Sequence, residues 1–269
     1  MTHTTFKQRR SSWAEKTGIG AYCCALLLVP LDVRISALPL LAFIILCIAA
    51  PFFPSFGFFL PIVSKGRKDN RAVALTFDDG PDPVTTPWLL DLLDRRQAKA
   101  SFFITGCRAR SHPELIREIL ARGHTIGNHS YSHDNLLMFR SQRALVGQIE
   151  DAQKIFQQFG FAPLAFRPPV GVTTSRFPAA LDQTGLFVVN FNRRAGDFGN
   201  RRVRLMAKRI IKRLGPGDII MLHDVRPPNP ALLKEWKDQI EQLLAAIQAR
   251  GLRIDPLESL IGRPVTKFL

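Results

Sequence analysis

The sequence of 269 residues predicts an α/β protein whose parallel sheet closes into a barrel, preceded by a membrane segment. The first observation is that short apolar runs alternate with helical patterns seven times from residue 71 onward. This number of alternations favours a barrel over a doubly wound sheet. The second is a stretch of 29 residues, 35–63, without a charged side chain. The third is a composition of 46% apolar and 22% charged residues, which is typical of a globular protein and excludes a disordered or collagen-like chain.

The uncharged stretch is long enough to span a bilayer, which needs about 20 apolar residues. It is too long for the apolar core of a removable signal peptide, about 7–15 residues, so residues 17–63 are predicted to be a retained transmembrane segment. One arrangement is a hairpin with helices at roughly 13–31 and 38–59 and a loop at 32–34. The other is a single spanning helix in the second run.

Basic residues flank this segment on both sides: Lys7, Arg9, Arg10 and Lys16 before it, and Lys65, Arg67, Lys68 and Arg71 after it. Because positive charge favours the cytoplasmic side, this pattern predicts a hairpin with both ends on the cytoplasmic face of a bacterial-type inner membrane. The periplasmic side is the alternative location for the folded domain.

Four parts are predicted along the chain: a basic tail (1–16), the membrane segment (17–63), a linker (64–70) and a folded domain (71–269). The predicted strands of the domain are 72–77, 100–105, 124–127, 164–167, 186–191, 218–223 and 252–254. Its predicted helices are 86–96, 113–122, 141–159, 175–184, 200–214 and 231–250. In such barrels the chemistry lies on the loops after the carboxyl ends of the strands.

Two adjacent carboxylates, Asp78 and Asp79, end the first predicted strand just before a Gly-Pro turn. Successive side chains of a strand point to opposite faces, so the two carboxylates can do different jobs. One can bind a cation while the other hydrogen-bonds a water molecule. Since Asp-Asp-Gly-Pro is also good turn chemistry, a solvated turn is the alternative interpretation.

His129 and His133 follow the third predicted strand and lie four residues apart. On a helical turn this spacing places both imidazoles on one face, within reach of a single metal ion, although isolated pairs of this kind also arise by chance. Together with a strand-end aspartate they predict two histidines and one carboxylate with an open position, which is typical of catalytic zinc. Cys107 is the only cysteine outside the predicted membrane segment (17–63), which excludes a cysteine-based zinc cage and an internal disulfide in the domain.

Three further polar residues follow later strands. Arg167 precedes two prolines that fix the backbone, and we predict that Asp197, after the fifth strand, pairs with it across the mouth of the barrel. His223 ends the sixth strand and suits a general acid because the pKa of histidine lies near neutrality. A rigid turn and a strand-end histidine bound to a carbonyl are the alternatives. The remaining histidines are predicted to be structural or on the surface: His3, His112 and His124.

The sequences TFDDGP (76–81), NHSYSH (128–133), RPPVG (167–171), GDF (196–198) and MLHD (221–224) occur in this order. They resemble the motifs of the polysaccharide deacetylase family, also called NodB-like carbohydrate esterases, over about residues 71–254. The resemblance implies a distorted (β/α) barrel, often with seven strands. It also implies removal of an N- or O-acyl group, most often acetyl, from an amino sugar with a divalent metal, commonly Zn²⁺.

The resemblance further implies a role for each motif residue. Asp78 is the general base and His223 the general acid, while Asp79, His129 and His133 bind the metal. Arg167 orients the base, Asp197 holds the histidine, and the backbone N–H of Val170 helps to hold the oxyanion. The implied substrate-binding residues are Pro168, Val170, Phe198 and Leu222. The family usually has an aromatic residue in place of Val170 and a tryptophan in place of Phe198; both lie where sugar rings pack, so the departures bear on substrate identity.

The net charge of +15 favours an anionic partner. Nine Lys and Arg residues fall within 193–213, and the predicted helix 200–214 carries them opposite an apolar stripe. This basic helix is either a solvated outer face or a surface that lies against anionic lipid, and with the membrane segment it predicts a polyprenyl-linked amino sugar as substrate. Nucleic acid is not expected, since no recognition motif accompanies the charge. The alternative function is a membrane-anchored carbohydrate-binding protein with an inactive deacetylase fold.

Overall fold

The computed structural model describes residues 11–67 and 71–269. Its central feature is a mostly parallel sheet that curls into a half-barrel, with helices packed on its outer face. The strands are β1 (Ile62–Val63), β2 (Ala72–Asp78), β3 (Ser101–Ile104), β4 (Thr125–Asn128), β5 (Phe161–Pro163), β6 (Ala165–Phe166), β7 (Phe187–Val189), β8 (Arg193–Arg194), β9 (Ile219–His223), β10 (Arg253–Ile254) and β11 (Thr266–Phe268). The hydrogen-bonded order is β1-β7-β6-β4-β3-β2-β9-β8, with β10 paired to β2, and β5 and β11 form a separate antiparallel pair.

Ten α-helices lie among the described residues. They are α1 (Trp13–Leu28), α2 (Val33–Ala49), α3 (Thr85–Arg95), α4 (Gly106–Ser111), α5 (Pro113–Ala121), α6 (Gln142–Gln157), α7 (Phe177–Thr184), α8 (Met206–Ile211), α9 (Leu233–Ala249) and α10 (Leu257–Ile261).

The distorted barrel predicted from the sequence is confirmed, and all seven predicted strands are present, as β2, β3, β4, β6, β7, β9 and β10. The sheet differs from a closed barrel because its end strands, β1 and β8, have only two residues each and lie at opposite ends of the order. A single antiparallel bridge between Lys65 and Asp218 connects the chain after β1 to the start of β9.

Strand β2 shows how one sheet carries both a core and a site. Leu75 and Phe77 are fully buried in the cluster between the sheet and the outer helices. Ala72 and Ala74 belong to a second cluster, inside the curl. Because side chains alternate along a strand, Asp78 lies on the same face as Ala74, toward the inside.

The predicted helix at 200–214 is wrong in its extent, since only α8 is helical there. Asn200 (φ 62°) and Leu205 (φ 61°) have left-handed backbones, which cannot continue a right-handed helix. The predicted apolar stripe is nevertheless buried at Val203, Met206 and Ile210. The basic side chains around it remain on the surface.

The N-terminal segment is a helical hairpin of α1 and α2, which pack against each other. Ser12 and Glu15 form a capping box at the start of α1, and the Asp32 side chain caps α2 by accepting from the Arg34 N–H. The observed turn therefore falls at 29–32, earlier than the predicted loop. The predicted basic tail at Lys7, Arg9 and Arg10 lies outside the described residues, as do His3 and Lys68.

One helical stretch in the described part of the chain, Val33–Phe52, is long and apolar enough to cross a membrane, with 20 residues and a mean hydropathy of 2.5. Helix α1 has 16 residues, which at 1.5 Å per residue span about 24 Å. That is shorter than the hydrocarbon core of a bilayer, about 30 Å.

Candidate active site

The polar residues singled out in the sequence meet at one edge of the sheet. Asp78 ends β2, His223 ends β9, and these two residues are register partners on neighbouring strands. His129 directly follows β4, and Arg167 directly follows β6, which is the neighbour of β4. Since parallel strands end at a common edge, the fold itself brings together residues that are up to 145 positions apart in sequence.

Asp79, His129 and His133 converge as a possible metal-binding set. The Asp79 Oδ1 atom lies 3.3 Å from His129 Nε2 and 3.1 Å from His133 Nε2. One ligand atom from each of the three residues lies within 4.8 Å of the others. The Nδ1–H of His129 donates to the Arg167 carbonyl at 2.7 Å, which orients the ring so that Nε2 faces Asp79.

The two histidines do not lie on a helical turn, so that part of the sequence interpretation is wrong. Residues 129–133 form a loop in which Ser130 (φ 65°) and His133 (φ 54°) have left-handed backbones. Asn128 stabilises this loop by accepting the Ser130 N–H at 2.8 Å. The loop, rather than helical periodicity, places the ring centroids 4.9 Å apart.

The charges of the three residues are strongly coupled. Burial alone would raise the pKa of Asp79, but the interaction with His129 and the charge of His133 outweigh burial and hold this pKa below its usual range. Burial would lower the pKa of His129, yet Asp79 and Asp78 raise it, whereas burial lowers the pKa of His133. Oδ1 of Asp79 is buried without a well-formed hydrogen bond. A buried, unpartnered carboxylate oxygen between two imidazoles fits a divalent cation.

Asp78 is held by Arg167 through a contact of 2.6 Å between Oδ1 and Nη1. The Arg167 side chain is fully buried and also donates to Thr76 Oγ1 at 2.7 Å and to the Val189 carbonyl at 3.1 Å. Its guanidinium carbon lies 3.9 Å from the centre of the Phe103 ring. The predicted pair of Arg167 with Asp197 is wrong, because the closest carboxylate to this guanidinium is the one at the end of β2.

Asp197 instead binds His223, with 2.7 Å between Oδ2 and Nδ1. Burial alone would lower the pKa of His223, but the hydrogen bond and the charge of Asp197 outweigh it and raise the pKa to about 9. Asn200 positions the loop by donating from Nδ2 to the carbonyls of His223 (3.1 Å) and Val225 (2.6 Å). Nδ1 of His223 is therefore engaged by Asp197, and the raised pKa favours the protonated imidazole at neutral pH.

The four predicted substrate contacts differ in accessibility. Val170 and Phe198 are 48% and 62% exposed, and both have left-handed backbones (φ 54° and 51°). Pro168 is buried directly after Arg167. Leu222 is wrong as a substrate contact, because its side chain is fully buried in the cluster between the sheet and the outer helices.

Met221 is a candidate that the sequence interpretation missed. It lies two residues before His223 on β9, so its side chain is on the same face of the strand. It belongs to the cluster inside the curl and is 8% exposed. The alternation of strand side chains, counted back from His223, was the signal that could have found it.

Asp224 was also missed. Its fully buried carboxylate accepts from Thr85 Oγ1 at 2.7 Å and Thr86 Oγ1 at 2.6 Å, and burial raises its pKa to about 7. A Cβ at position 80 would lie 2.6 Å from Asp224 Oδ2, so only glycine at Gly80 allows this close approach. Asp224 thereby supports the loop that carries Asp79.

Comparisons with known proteins agree with this geometry. Residues 65–189 match the family model described as polysaccharide deacetylase. The chain is 32% identical over 200 residues to a chitooligosaccharide deacetylase of Azorhizobium caulinodans, which covers 71% of this chain and 94% of the relative. It is 30% identical over 204 residues to a peptidoglycan-N-acetylglucosamine deacetylase of Listeria monocytogenes, covering 76% of this chain but only 41% of that relative. A crystal structure of a peptidoglycan N-acetylglucosamine deacetylase superposes with a TM-score of 0.68 at 29% identity, covering 76% of this chain and 94% of the other.

Proposed function

Because this chain belongs to the polysaccharide deacetylase family, we propose that it is a carbohydrate deacetylase that removes an N-acetyl group from an amino-sugar glycan. The observation that carries the proposal is the convergence of three groups of side chains at one sheet edge: Asp79 with two histidines, Asp78 with Arg167, and His223 with Asp197. The relatives named for peptidoglycan and chitooligosaccharide deacetylation support an N-acetylated glycan as the substrate class.

The proposed cofactor is a divalent metal, most simply Zn²⁺, held by Asp79, His129 and His133. Two imidazole nitrogens and one carboxylate oxygen are ligands that zinc accepts, and three protein ligands leave a position for a small molecule. Such an ion supplies a Lewis acid for the acyl carbonyl and lowers the pKa of water.

The residues of the chain provide the proton transfers. Asp78, oriented by Arg167, accepts a proton from the water molecule that attacks the acetyl carbon. Protonated His223, held by Asp197, gives a proton to the amide nitrogen as the C–N bond breaks. Acetate and the free amino sugar are then the products; Asp78 has taken one proton from water, and His223 has given one proton to the leaving nitrogen.

The backbone N–H of Val170 is the proposed protein donor to the oxyanion. A β-branched residue in the left-handed region is a conformational outlier, and such outliers persist where the surrounding structure enforces them. A fixed donor is valuable because one oxyanion donor contributes about 3–4 kcal/mol in other hydrolases.

We also propose that the protein is anchored by the N-terminal hairpin in a bacterial-type inner membrane, with the catalytic domain on the cytoplasmic face and a lipid-linked amino sugar as substrate. The apolar Val33–Phe52 helix supports the anchor. Exposed basic side chains after β8 support an anionic carrier: Arg201, Arg202, Arg204, Lys208 and Arg209. Replacement of Arg201, Arg202, Lys208 and Arg209 by Gln should weaken activity on a polyprenyl-linked amino sugar more than on a soluble one, and equal losses would refute this part.

The test of the chemistry is acetate release from N-acetylated chitooligosaccharides by the purified full-length protein. Chelation should abolish release, and Zn²⁺ should restore it. Zn²⁺ should also raise the unfolding temperature of the stripped protein, but not of the His133→Ala variant; His112→Ala, which changes a histidine outside the site, is the matched control. Metal binding without acetate release from any amino-sugar substrate would favour the inactive carbohydrate-binding protein instead.

A further inference from the structure

A cavity of about 620 Å³ lies between the N-terminal hairpin and the folded domain. The hairpin supplies one wall, and the segment 174–178, which follows the RPPVG loop, supplies the other. Its volume falls within the range of small-molecule pockets, about 300–1,000 Å³. None of the residues proposed for the chemistry lines it.

The wall formed by the two helices is apolar. Its residues are Gly18, Ile19, Phe43, Cys47 and Ile48. A Cβ at Gly18 would lie 3.0 Å from the tip of the Phe43 ring, so the absence of a side chain there leaves room between the helices. The polar lining comes from the start of α1 and from the folded domain, at Ser12, Glu15, Thr174 and Ser175. A pocket whose helical wall is mostly apolar, and whose polar groups lie at the start of α1 and on the domain, suits an amphiphile.

The surroundings identify the occupant as a hydrocarbon chain. Ile19 and Ile48 line the cavity and yet are 66% and 65% exposed. Ile44 and Phe52 on α2 and just after it are 52% and 71% exposed. Exposed apolar surface costs about 25 cal/mol per Å² in water, so this hairpin belongs in lipid and the cavity opens toward acyl chains.

Hydrogen bonds connect the segment that follows α2, next to this cavity, to the catalytic edge. Asn190 is fully buried, and its Nδ2 donates to the carbonyls of Pro54 (2.7 Å) and Gly171 (3.0 Å). The Asn190 carbonyl accepts from Arg167 Nη2 at 3.2 Å. The chain that leaves the hairpin is therefore attached to the loop of Val170 and to the arginine that holds the proposed base.

The distance between cavity and site is short. Thr174 lies four residues after Val170, and four residues span at most about 14 Å even when fully extended. A sugar bound near Val170 and a chain that begins near Thr174 can thus belong to one molecule.

We propose that this cavity binds the hydrocarbon chain of a lipid-linked amino sugar while its acetylated sugar occupies the catalytic edge. The inference rests on the proposed deacetylase function and adds a second binding site, built from the hairpin and residues 174–178. The hairpin then selects the substrate as well as anchoring the protein.

The test compares two substrates that carry the same acetylated disaccharide and differ in the lipid: farnesyl-diphospho-N,N′-diacetylchitobiose in detergent micelles and soluble N,N′-diacetylchitobiose. Cys47→Phe fills the cavity from α2 and should raise KM for the farnesyl probe about tenfold, which corresponds to about 1.4 kcal/mol. KM for the soluble probe should not change. Cys23→Phe is the matched control, because Cys23 is exposed on α1 and does not line the cavity; it should change neither value.

The outcomes separate the two proposals. If the wild-type protein releases acetate from neither probe, the proposed function fails and the inference with it. If it deacetylates the soluble probe but cavity filling leaves KM for the farnesyl probe within twofold, the inference alone is overturned. A Cys47→Phe variant that loses activity on both probes is misfolded, and Ser175→Trp then decides, since Ser175 is an exposed residue of the opposite wall.

Discussion

The contact between Asp197 and His223 leads to a quantitative prediction for the pH dependence of deacetylation. The carboxylate accepts a hydrogen bond from the imidazole at 2.7 Å and is 1% exposed, so water screens its charge weakly. Burial would lower the pKa of His223, but the hydrogen bond and charge of Asp197, together with the charges of Asp79 and Asp78, outweigh burial and raise it from 6.5 to about 9. The histidine must be protonated to donate to the leaving nitrogen, so activity is lost as pH rises through this pKa.

The size of the effect follows from this rise of the pKa. The change from 6.5 to about 9 corresponds to about 3 kcal/mol in favour of the protonated form. Asp197→Asn removes the charge and leaves the burial, so the pKa of His223 should fall to about its ordinary value or below it. The basic limb of the kcat/KM profile should therefore move down by about 2 pH units. The charge of a bound cation would lower the pKa of His223 in both proteins. The quantity to measure is therefore the difference between the basic limbs of the two pH profiles.

The assay is acetate release from a soluble N-acetylated chitooligosaccharide between pH 5 and 10. Asp255→Asn removes the same charge from a residue paired with Arg253, away from the site, and should leave the basic limb in place. A basic limb that stays within half a pH unit in an active Asp197→Asn protein would refute the assignment of His223 as the acid. So would a loss of activity that is equal at every pH.

The remaining predictions concern packing, acid stability and backbone strain. Leu222→Ala should lower the free energy of unfolding by about 2–5 kcal/mol in urea denaturation with KM unchanged, whereas Met221→Ala should change KM; the reverse result would restore Leu222 as a substrate contact. Burial lowers the pKa of His124 from 6.5 to about 4, so the folded protein favours the neutral imidazole. The contribution of this preference to stability is complete above pH 6.5 and is lost as pH falls toward 4. Between urea denaturation at pH 7.5 and at pH 4, the wild type should lose about 3 kcal/mol more than His124→Asn, and equal losses would contradict this. Val170→Gly should be about 1–2 kcal/mol more stable than Val172→Gly in thermal unfolding, because only Val170 (φ 54°, against −92°) carries left-handed strain. Equal stability would mean that the loop is not strained.

The sequence predicts most of the sheet and the strand-end residues because both depend on simple periodicity. Short apolar runs placed all seven strands, and the parallel arrangement then brings Asp78, His129, Arg167 and His223 to one edge. The added strands β1 and β8 were not predictable in the same way. Each has two residues, which is too short for any periodic pattern to appear.

Which residues belong to the site was easier to predict than which of them bind each other. Asp197 and Asp78 are both buried carboxylates at the sheet edge; position in the barrel predicts that Arg167 binds the first of them, whereas the family resemblance implies that it orients the second. It binds the second. Arg167 follows β6, which lies three strands from β2 in the order β6-β4-β3-β2, and its side chain crosses the interior of the curl to reach Thr76 and Asp78 of β2. A contact that spans the interior of a curled sheet depends on its curvature, which strand order alone does not provide.

The loops after the strands escape prediction for a different physical reason. Non-glycine residues with left-handed backbones include Asp79, Ser130, His133, Val170 and Phe198, all in or beside the site. Each costs about 1–2 kcal/mol, and sequence patterns that assume ordinary backbone geometry give no sign of them. Such conformations persist only where other contacts enforce them, and the structure shows several: the side chain of Asn128 on Ser130, that of Ser130 on His133, and that of Asn200 on the carbonyl of His223. Because these bonds hold the loops before any substrate arrives, the proposed metal ligands and the proposed acid are already oriented, as a preorganised site requires.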